Sequence, residues 1–323
     1  MTAADTMSPP GMEGAHHEVP PGDWIARWMP ARVQPYLRLA RLDRMIGTWL
    51  LLFPCLWGVS LAGVADRRAY PDPRLLMLFA LGALLMRSAG CAYNDYIDRD
   101  IDGRVARTAN RPIPAGLITP VQALMFASLL SVAALFVLLQ LNEFTIVTGA
   151  ASLIIVAVYP YLKRWTDWPQ LGLGLAFNWG ALVGWSAATG SIGWPSVLLY
   201  AGSVCWTIGY DTIYGHQDAA DDKVVGVRST ALAFKTSAPS FIGMFYSAAI
   251  VLWLAAGFMA GAHLIFVLAV VLVSLQLSWQ AVTLDINDPK NCLRRFRSNR
   301  DVGIGLFLGL VTDMAISWFA GLS

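Results

Sequence analysis

At 323 residues the chain is long enough for two soluble domains, yet 56% of it is hydrophobic, only 14% is charged and the mean hydropathy is +0.54, which excludes a soluble globule. The net charge of +2 points to no nucleic-acid partner, because in such a chain the placement of charges matters more than their sum. Cys55, Cys91, Cys205 and Cys292 stand apart from one another and form neither a disulfide framework nor a zinc motif.

Residues 1–23 are polar and rich in Pro and Gly, with no apolar core of a signal peptide and with acidic residues that a mitochondrial transit peptide lacks. They read as a disordered cytoplasmic tail. From Trp24 to Arg44 the string WIARWMPARVQPYLRLARLDR mixes aromatic and aliphatic residues with five arginines, as an amphipathic segment at a membrane surface does, with Pro30 and Pro35 expected to break it. Residues 45–323 then read as one domain.

Apolar runs recur along that domain, each of the roughly 20 residues needed to cross a hydrocarbon core of about 30 Å. The expected class is an all-α polytopic membrane protein with nine transmembrane helices, at 46–64, 74–94, 121–141, 144–162, 170–189, 194–213, 238–260, 262–284 and 302–320. Loops 95–120, 163–169, 214–237 and 285–301 are charged, while those on the opposite side are mostly short and neutral. Together with the N-terminal segment they carry 19 of the 23 Lys and Arg residues, so the positive-inside rule makes that face cytoplasmic.

Chemistry concentrates at the end of the second helix, in NDYIDRDIDGRVARTANRP from Asn94 to Pro112. At about 100° per residue, Asn94, Asp98 and Asp102 share one face if the helix continues past the apolar run, and Asp95 lies beside it. After the sixth helix, YDTIYGHQDAADDK brings Asp211, Asp218, Asp221 and Asp222 to the same side of the membrane, and the 211, 218, 222 spacing again keeps one face. Like charges repel unless a cation sits between them. Oxygen ligands at this density suit magnesium bound together with substrate phosphates, and neighbouring arginines supply forks for phosphate oxygens. The pattern reads as a magnesium-bridged diphosphate site facing an apolar chamber.

These residues resemble the UbiA-type superfamily of intramembrane prenyltransferases, with its N-D-x-x-D-x-x-x-D motif after the second helix and a second Asp motif after the sixth. Asn94, Asp95, Asp98 and Asp102 match the first, and Asp211, Asp218 and Asp222 match the second as it occurs in the branch that prenylates 4-hydroxybenzoate for ubiquinone. The strings RLARLDRMIGTWLLLFPCLWG, WPQLGLGLAFNWGALVGWSA and RFRSNRDVGIGLFLG are similar to that branch as well. Arg44-Met45 departs from a frequent Lys-Pro. The resemblance implies nine helices around a central cavity with cap loops over its cytoplasmic mouth, Mg2+, a polyprenyl diphosphate donor and 4-hydroxybenzoate as acceptor.

On that reading Asn94, Asp98, Asp102, Asp218 and Asp222 hold the metal, and Arg104, Arg107, Arg111, Lys163 and Arg228 surround the diphosphate. Arg87, two turns deeper than Asn94 and costly in lipid, faces the acceptor carboxylate or balances the acidic stripe. Asp211 and Tyr210 contact the acceptor, with Asp211 aligning its hydroxyl, and His216 is a candidate for removing the ring proton. Tyr93, Tyr159, Tyr210 and Trp185 are expected to line the cavity. Arg294, Arg295, Arg297 and Arg300 read as anchors at the membrane surface. The expected location is a bacterial inner membrane, with the mitochondrial inner membrane as the alternative. Two other readings stand beside this one: a same-fold prenyltransferase with another aromatic acceptor, and a cation transporter. Nothing in the sequence constrains oligomeric state or donor length.

Overall fold

The structure, a computed structural model, describes residues 24–103, 108–217 and 228–321. Among them every regular element is helical. Two short helices, α1 (Trp24–Trp28) and α2 (Gln34–Leu39), precede the long ones, and Ile25 and Leu39 bury their side chains completely. Pro30 follows the end of α1 as expected, but Pro35 sits in the first turn of α2 and starts that helix, where its missing N–H costs nothing.

The long helices follow in order: α3 (Ile46–Ala65), α4 (Pro73–Asp102), α5 (Pro120–Leu138), α6 (Glu143–Trp165), α7 (Pro169–Asn178), α8 (Gly180–Thr189) and α9 (Trp194–Gly215). After the short α10 (Thr230–Phe234) come α11 (Ala238–Ala260), α12 (Leu264–Val282), α13 (Pro289–Arg297) and α14 (Asn299–Phe319). The fifth expected span is divided into α7 and α8 at Trp179. The last begins earlier than expected, because α13 and α14 run on through Ser298 and turn most of the expected loop 285–301 into helix.

Eight helices among the described residues are long and apolar enough to cross a membrane, one fewer than the nine expected. The helix outside that set is α9, which at 22 residues has the length but carries Ser196, Ser203, Thr207, Asp211 and Thr212. Ser196, Ser203, Thr207 and Thr212 are fully buried, so α9 is polar because it faces protein rather than lipid. By contrast α5 and α6 expose Met125, Leu129, Val147 and Ile154, as a lipid-facing surface does.

Helix starts follow local chemistry. Asp72 caps α4 by accepting from the Arg74 N–H at 2.8 Å, with Pro73 in the first turn. Thr119 and Gln122 form a reciprocal capping box at α5. Asn142 caps α6 and also donates to the carbonyl oxygens of Ser186 and Ala187, tying α6 to the end of α8. The core is aromatic: Trp57, Trp206 and Trp253 meet edge-on or tilted at ring distances of 5.2–6.0 Å, and each indole N–H has an acceptor, Gly303 O, Asn299 Oδ1 and Ser203 Oγ respectively.

Candidate active site

Helices α3 to α9 enclose a cavity of about 670 Å3. Its walls are mostly apolar, with Leu50, Leu78, Val132, Leu135, Leu153 and Val156 among the lining residues. Arg41, Arg44, Arg87, Asn94, Asp95, Arg111 and Asp211 all face it.

Helix α4 makes this polarity possible. Thirty residues at 1.5 Å each give about 45 Å, more than a hydrocarbon core of about 30 Å, so the last three turns emerge on the charged side as expected. Asp95, Asp98 and Asp102 are 1%, 1% and 6% exposed, and each is compensated. Lys163 at the end of α6 donates to Asp98 Oδ2, and Asn94 Nδ2 donates to the same oxygen at 3.0 Å. Arg111 reaches Asp102 at 2.6 Å and Asp95 at 3.2 Å. Asp95 also accepts from Arg41, whose Nη2 donates to both carboxylate oxygens at 2.9 and 3.0 Å. Lys163 and Arg111, expected around the diphosphate, are here paired with the carboxylates of the acidic stripe. Arg104 and Arg107 lie outside the described residues.

Of the second cluster, Asp211 is carried by α9 and faces the cavity. The helix ends at Gly215 with His216 as its cap, and Asp218, Asp221 and Asp222 lie outside the described residues. The segment's return is anchored on both sides. Arg228 N–H donates to the Lys163 carbonyl at 3.0 Å, Thr230 N–H to Gln170 Oε1 at 3.1 Å, and the Thr212 and Thr230 hydroxyls share a bond of 2.6 Å. Arg228 points its side chain outward, 3.9 Å from Asp167 and half exposed, rather than into the acidic stripe. The backbone of residue 228 nonetheless touches Lys163, the residue that holds Asp98.

Deeper in the cavity, the Arg87 guanidinium lies 5.3 Å from the centre of the Phe177 ring, and among the described residues it forms no ion pair. Its Nε is buried without a hydrogen-bond partner. Tyr210 lines the cavity and is fixed by a relay: Asn178 Nδ2 donates to Thr207 Oγ1 at 2.7 Å, and Thr207 donates to the Tyr210 hydroxyl at 3.1 Å. Tyr93 and Tyr159 line the cavity as expected. Trp185 does not; it is buried in the core against Gly193. His216 is buried away from the cavity lining, and burial lowers its pKa, which leaves the ring neutral at pH 7. Arg295, expected as a surface anchor, is instead buried: it covers the Trp279 ring at 3.8 Å and donates to the Thr283 carbonyl at 3.3 Å, while the exposed Arg300 pairs with Asp301.

Four functional neighbours escaped the sequence reading. Arg41 reads there as part of an interfacial segment, yet it takes a left-handed backbone (φ 59°) and turns its guanidinium into the site. Arg44 joins it at the cavity wall, and Phe177 and Asn178 come from a helix read only as a span. The string FNWG contains those last two residues, but nothing in their spacing relates them to Arg87 or Tyr210.

Whether the stripe fits a divalent cation can be read from its oxygens. Among the described residues no three His, Cys, Asp or Glu side chains form a ready metal cluster. Asp98 Oδ1, however, is buried without a hydrogen-bond partner, with Arg164 3.8 Å away, beside an Oδ2 that already takes two donors. An orphaned carboxylate oxygen next to an amide side chain suits a hard cation. The stripe fits one half of such a site.

The profile of the UbiA prenyltransferase family matches residues 51–310. The chain is 50% identical over 284 residues to "4-hydroxybenzoate polyprenyltransferase, mitochondrial" of Rattus norvegicus, covering 87% of this chain and 75% of that protein. An apo structure of a UbiA homolog from Aeropyrum pernix K1 shares the fold with a TM-score of 0.69 at 24% identity, over 82% of this chain and 98% of that one. A UbiA homolog from Archaeoglobus fulgidus, bound to GPP and Mg2+, gives 0.62 at 18% identity, over 86% and 99%. The relative's mitochondrial name lends no support to the expected bacterial membrane. A helical bundle with this lipid-facing surface is an integral membrane protein, and with the family profile running from α3 into α14, the chain belongs to the UbiA prenyltransferase family.

Proposed function

We propose that the chain transfers a polyprenyl group from polyprenyl diphosphate to the ring carbon ortho to the hydroxyl of 4-hydroxybenzoate, releasing diphosphate in ubiquinone biosynthesis. The observation that carries this reading is an apolar cavity lined by Asn94 of the first acidic segment, by Asp211 of the second and by Arg87, with Arg228 N–H bonded to the Lys163 carbonyl beside it. The name of the Rattus norvegicus relative supports the acceptor, and the A. fulgidus structure bound to GPP and Mg2+ supports a prenyl diphosphate with magnesium.

Asn94, Asp98 and Asp102, with Asp218 and Asp222, would hold Mg2+. When bound, the metal neutralises charge that develops on the leaving diphosphate. Lys163 and Arg111, now paired with carboxylates, add donors for the same oxygens, joined by Arg104 and Arg107; Arg228 acts through its backbone unless its side chain turns inward. The apolar wall keeps water from the allylic carbon while it is electron-deficient, and the faces of Tyr93, Tyr159 and Tyr210 favour positive charge there. Arg87 orients the acceptor carboxylate, and Asp211 accepts from its hydroxyl, raising electron density at the ortho carbon.

The distribution of Lys and Arg supports a carboxylate rim on the cytoplasmic or matrix side of the membrane, and the relative's name, which reads mitochondrial, supports a mitochondrial over a bacterial location. Membranes containing the full chain, given labelled 4-hydroxybenzoate, prenyl diphosphates of graded length and Mg2+, should form the 3-polyprenyl product. A preference for a naphthoate or homogentisate over 4-hydroxybenzoate would overturn the acceptor assignment.

A further inference from the structure

The wall around Arg87 is shaped by two residues that have no side chain. Gly47, at the start of α3, is buried against the guanidinium: a methyl group at its Cα would lie 2.6 Å from Arg87 Nε, 2.6 Å from Nη2 and 2.8 Å from Cζ. The Arg87 head therefore occupies the space that any other residue at position 47 would fill. Gly90 is the opposite case. It lines the same cavity one turn from Arg87, and a methyl group there would meet nothing within 4 Å. On α4 it falls between Arg87 and Asn94 with spacings of three and four, so all three share a face.

We infer that these two glycines determine acceptor specificity: Gly47 seats the Arg87 guanidinium, and Gly90 keeps the space between that guanidinium and Asn94 open for an aromatic ring. The inference rests on the prenyl-transfer reading and extends it to the shape of the acceptor pocket. A guanidinium with Phe177 beneath it, a buried Nε without a partner and no ion pair among the described residues is suited to a ligand carboxylate. A planar ring held by that carboxylate extends towards Asn94, where the diphosphate end of the donor lies, and a branched side chain at position 90 would project into that space.

The two substitutions have different signatures. In Gly47→Ala the three atoms nearest the added carbon are all at the far end of the flexible Arg87 side chain, so the guanidinium is expected to move while the fold survives. In Gly90→Val the added group projects into open space. Purified full-length protein is assayed with 4-hydroxybenzoate and with 4-hydroxybenzamide, which has the same ring without the charge, and donor affinity is measured separately. Gly47→Ala should lower the acid-to-amide ratio of kcat/KM by about tenfold or more, since only the charged acceptor loses its partner. Gly90→Val should lower kcat/KM for both acceptors together, by about tenfold or more, through loss of room for the ring. Donor affinity should stay within about twofold of wild type in both. An unchanged acid-to-amide ratio in Gly47→Ala, or undiminished turnover of both acceptors by Gly90→Val, would overturn the inference while wild-type turnover leaves the prenyl-transfer reading intact. A wild type that does not prenylate 4-hydroxybenzoate would overturn both. The Gly90 result stands independently of any misfolding at position 47.

Discussion

Asp98 lies almost fully buried with Lys163 on one carboxylate oxygen and none but a distant Arg164 at the other. Removing the ammonium strands a buried charge, a change that costs about 3–5 kcal/mol for a fully buried pair and about 2 kcal/mol here, because the Lys163 side chain is 24% exposed. Lys163→Met should therefore melt at a lower temperature than wild type in metal-free buffer, and Mg2+ should raise its melting temperature more than it raises the wild type's, since the cation replaces the lost charge. Equal Mg2+ shifts in the two proteins would show that Asp98 does not receive the metal. Arg41 makes a related case. Arg41→Ala should destabilise the protein, and adding Asp95→Asn should recover part of the loss, because the pair is coupled across 54 residues of sequence. Losses that simply add would show that the contact is idle. That separation explains why Arg41 was not legible as a site residue. Arg87 was legible because an arginine inside an apolar run has to face something polar.

At the scale of elements, α4 runs to Asp102, eight residues past the span expected at 74–94, and so meets the condition under which Asn94, Asp98 and Asp102 share one face. The divisions at Trp179 and Ser298 were not legible, because neither follows from a proline inside a span and only packing against α9 and α12 defines them. Packing also explains the glycines between α3 and α8. A Cβ at Gly184 would strike the Cys55 carbonyl, and one at Gly58 the Ala181 carbonyl, so these backbones touch as small residues allow in membrane helices. Gly184→Ala should cost about 2–3 kcal/mol and reduce the yield of folded protein, whereas Gly243→Ala, whose Cβ meets nothing, should be neutral or slightly stabilising. The two can be compared by melting in detergent; equal stability would contradict the close seam.

At the scale of the whole molecule, hydropathy made the helical class readable, and the acidic strings pointed to Asn94, Asp95 and Asp211, which line the cavity. What remained hidden is how the helices close: that α9 faces protein, that Trp185 belongs to the core, and that Arg228 reaches the site through its backbone. These depend on contacts between segments far apart in sequence, which no local spacing encodes. We propose that the same closure makes two acidic strings into one site. It is tested most directly by assaying Asp98→Asn and Asp218→Asn proteins, correctly inserted in membranes, for Mg2+-dependent prenylation of 4-hydroxybenzoate. Each should lose at least about a thousandfold in kcat/KM, and the double variant little more than either alone, as residues acting as one unit do. Near-normal turnover by either single variant would contradict a site shared by the two segments.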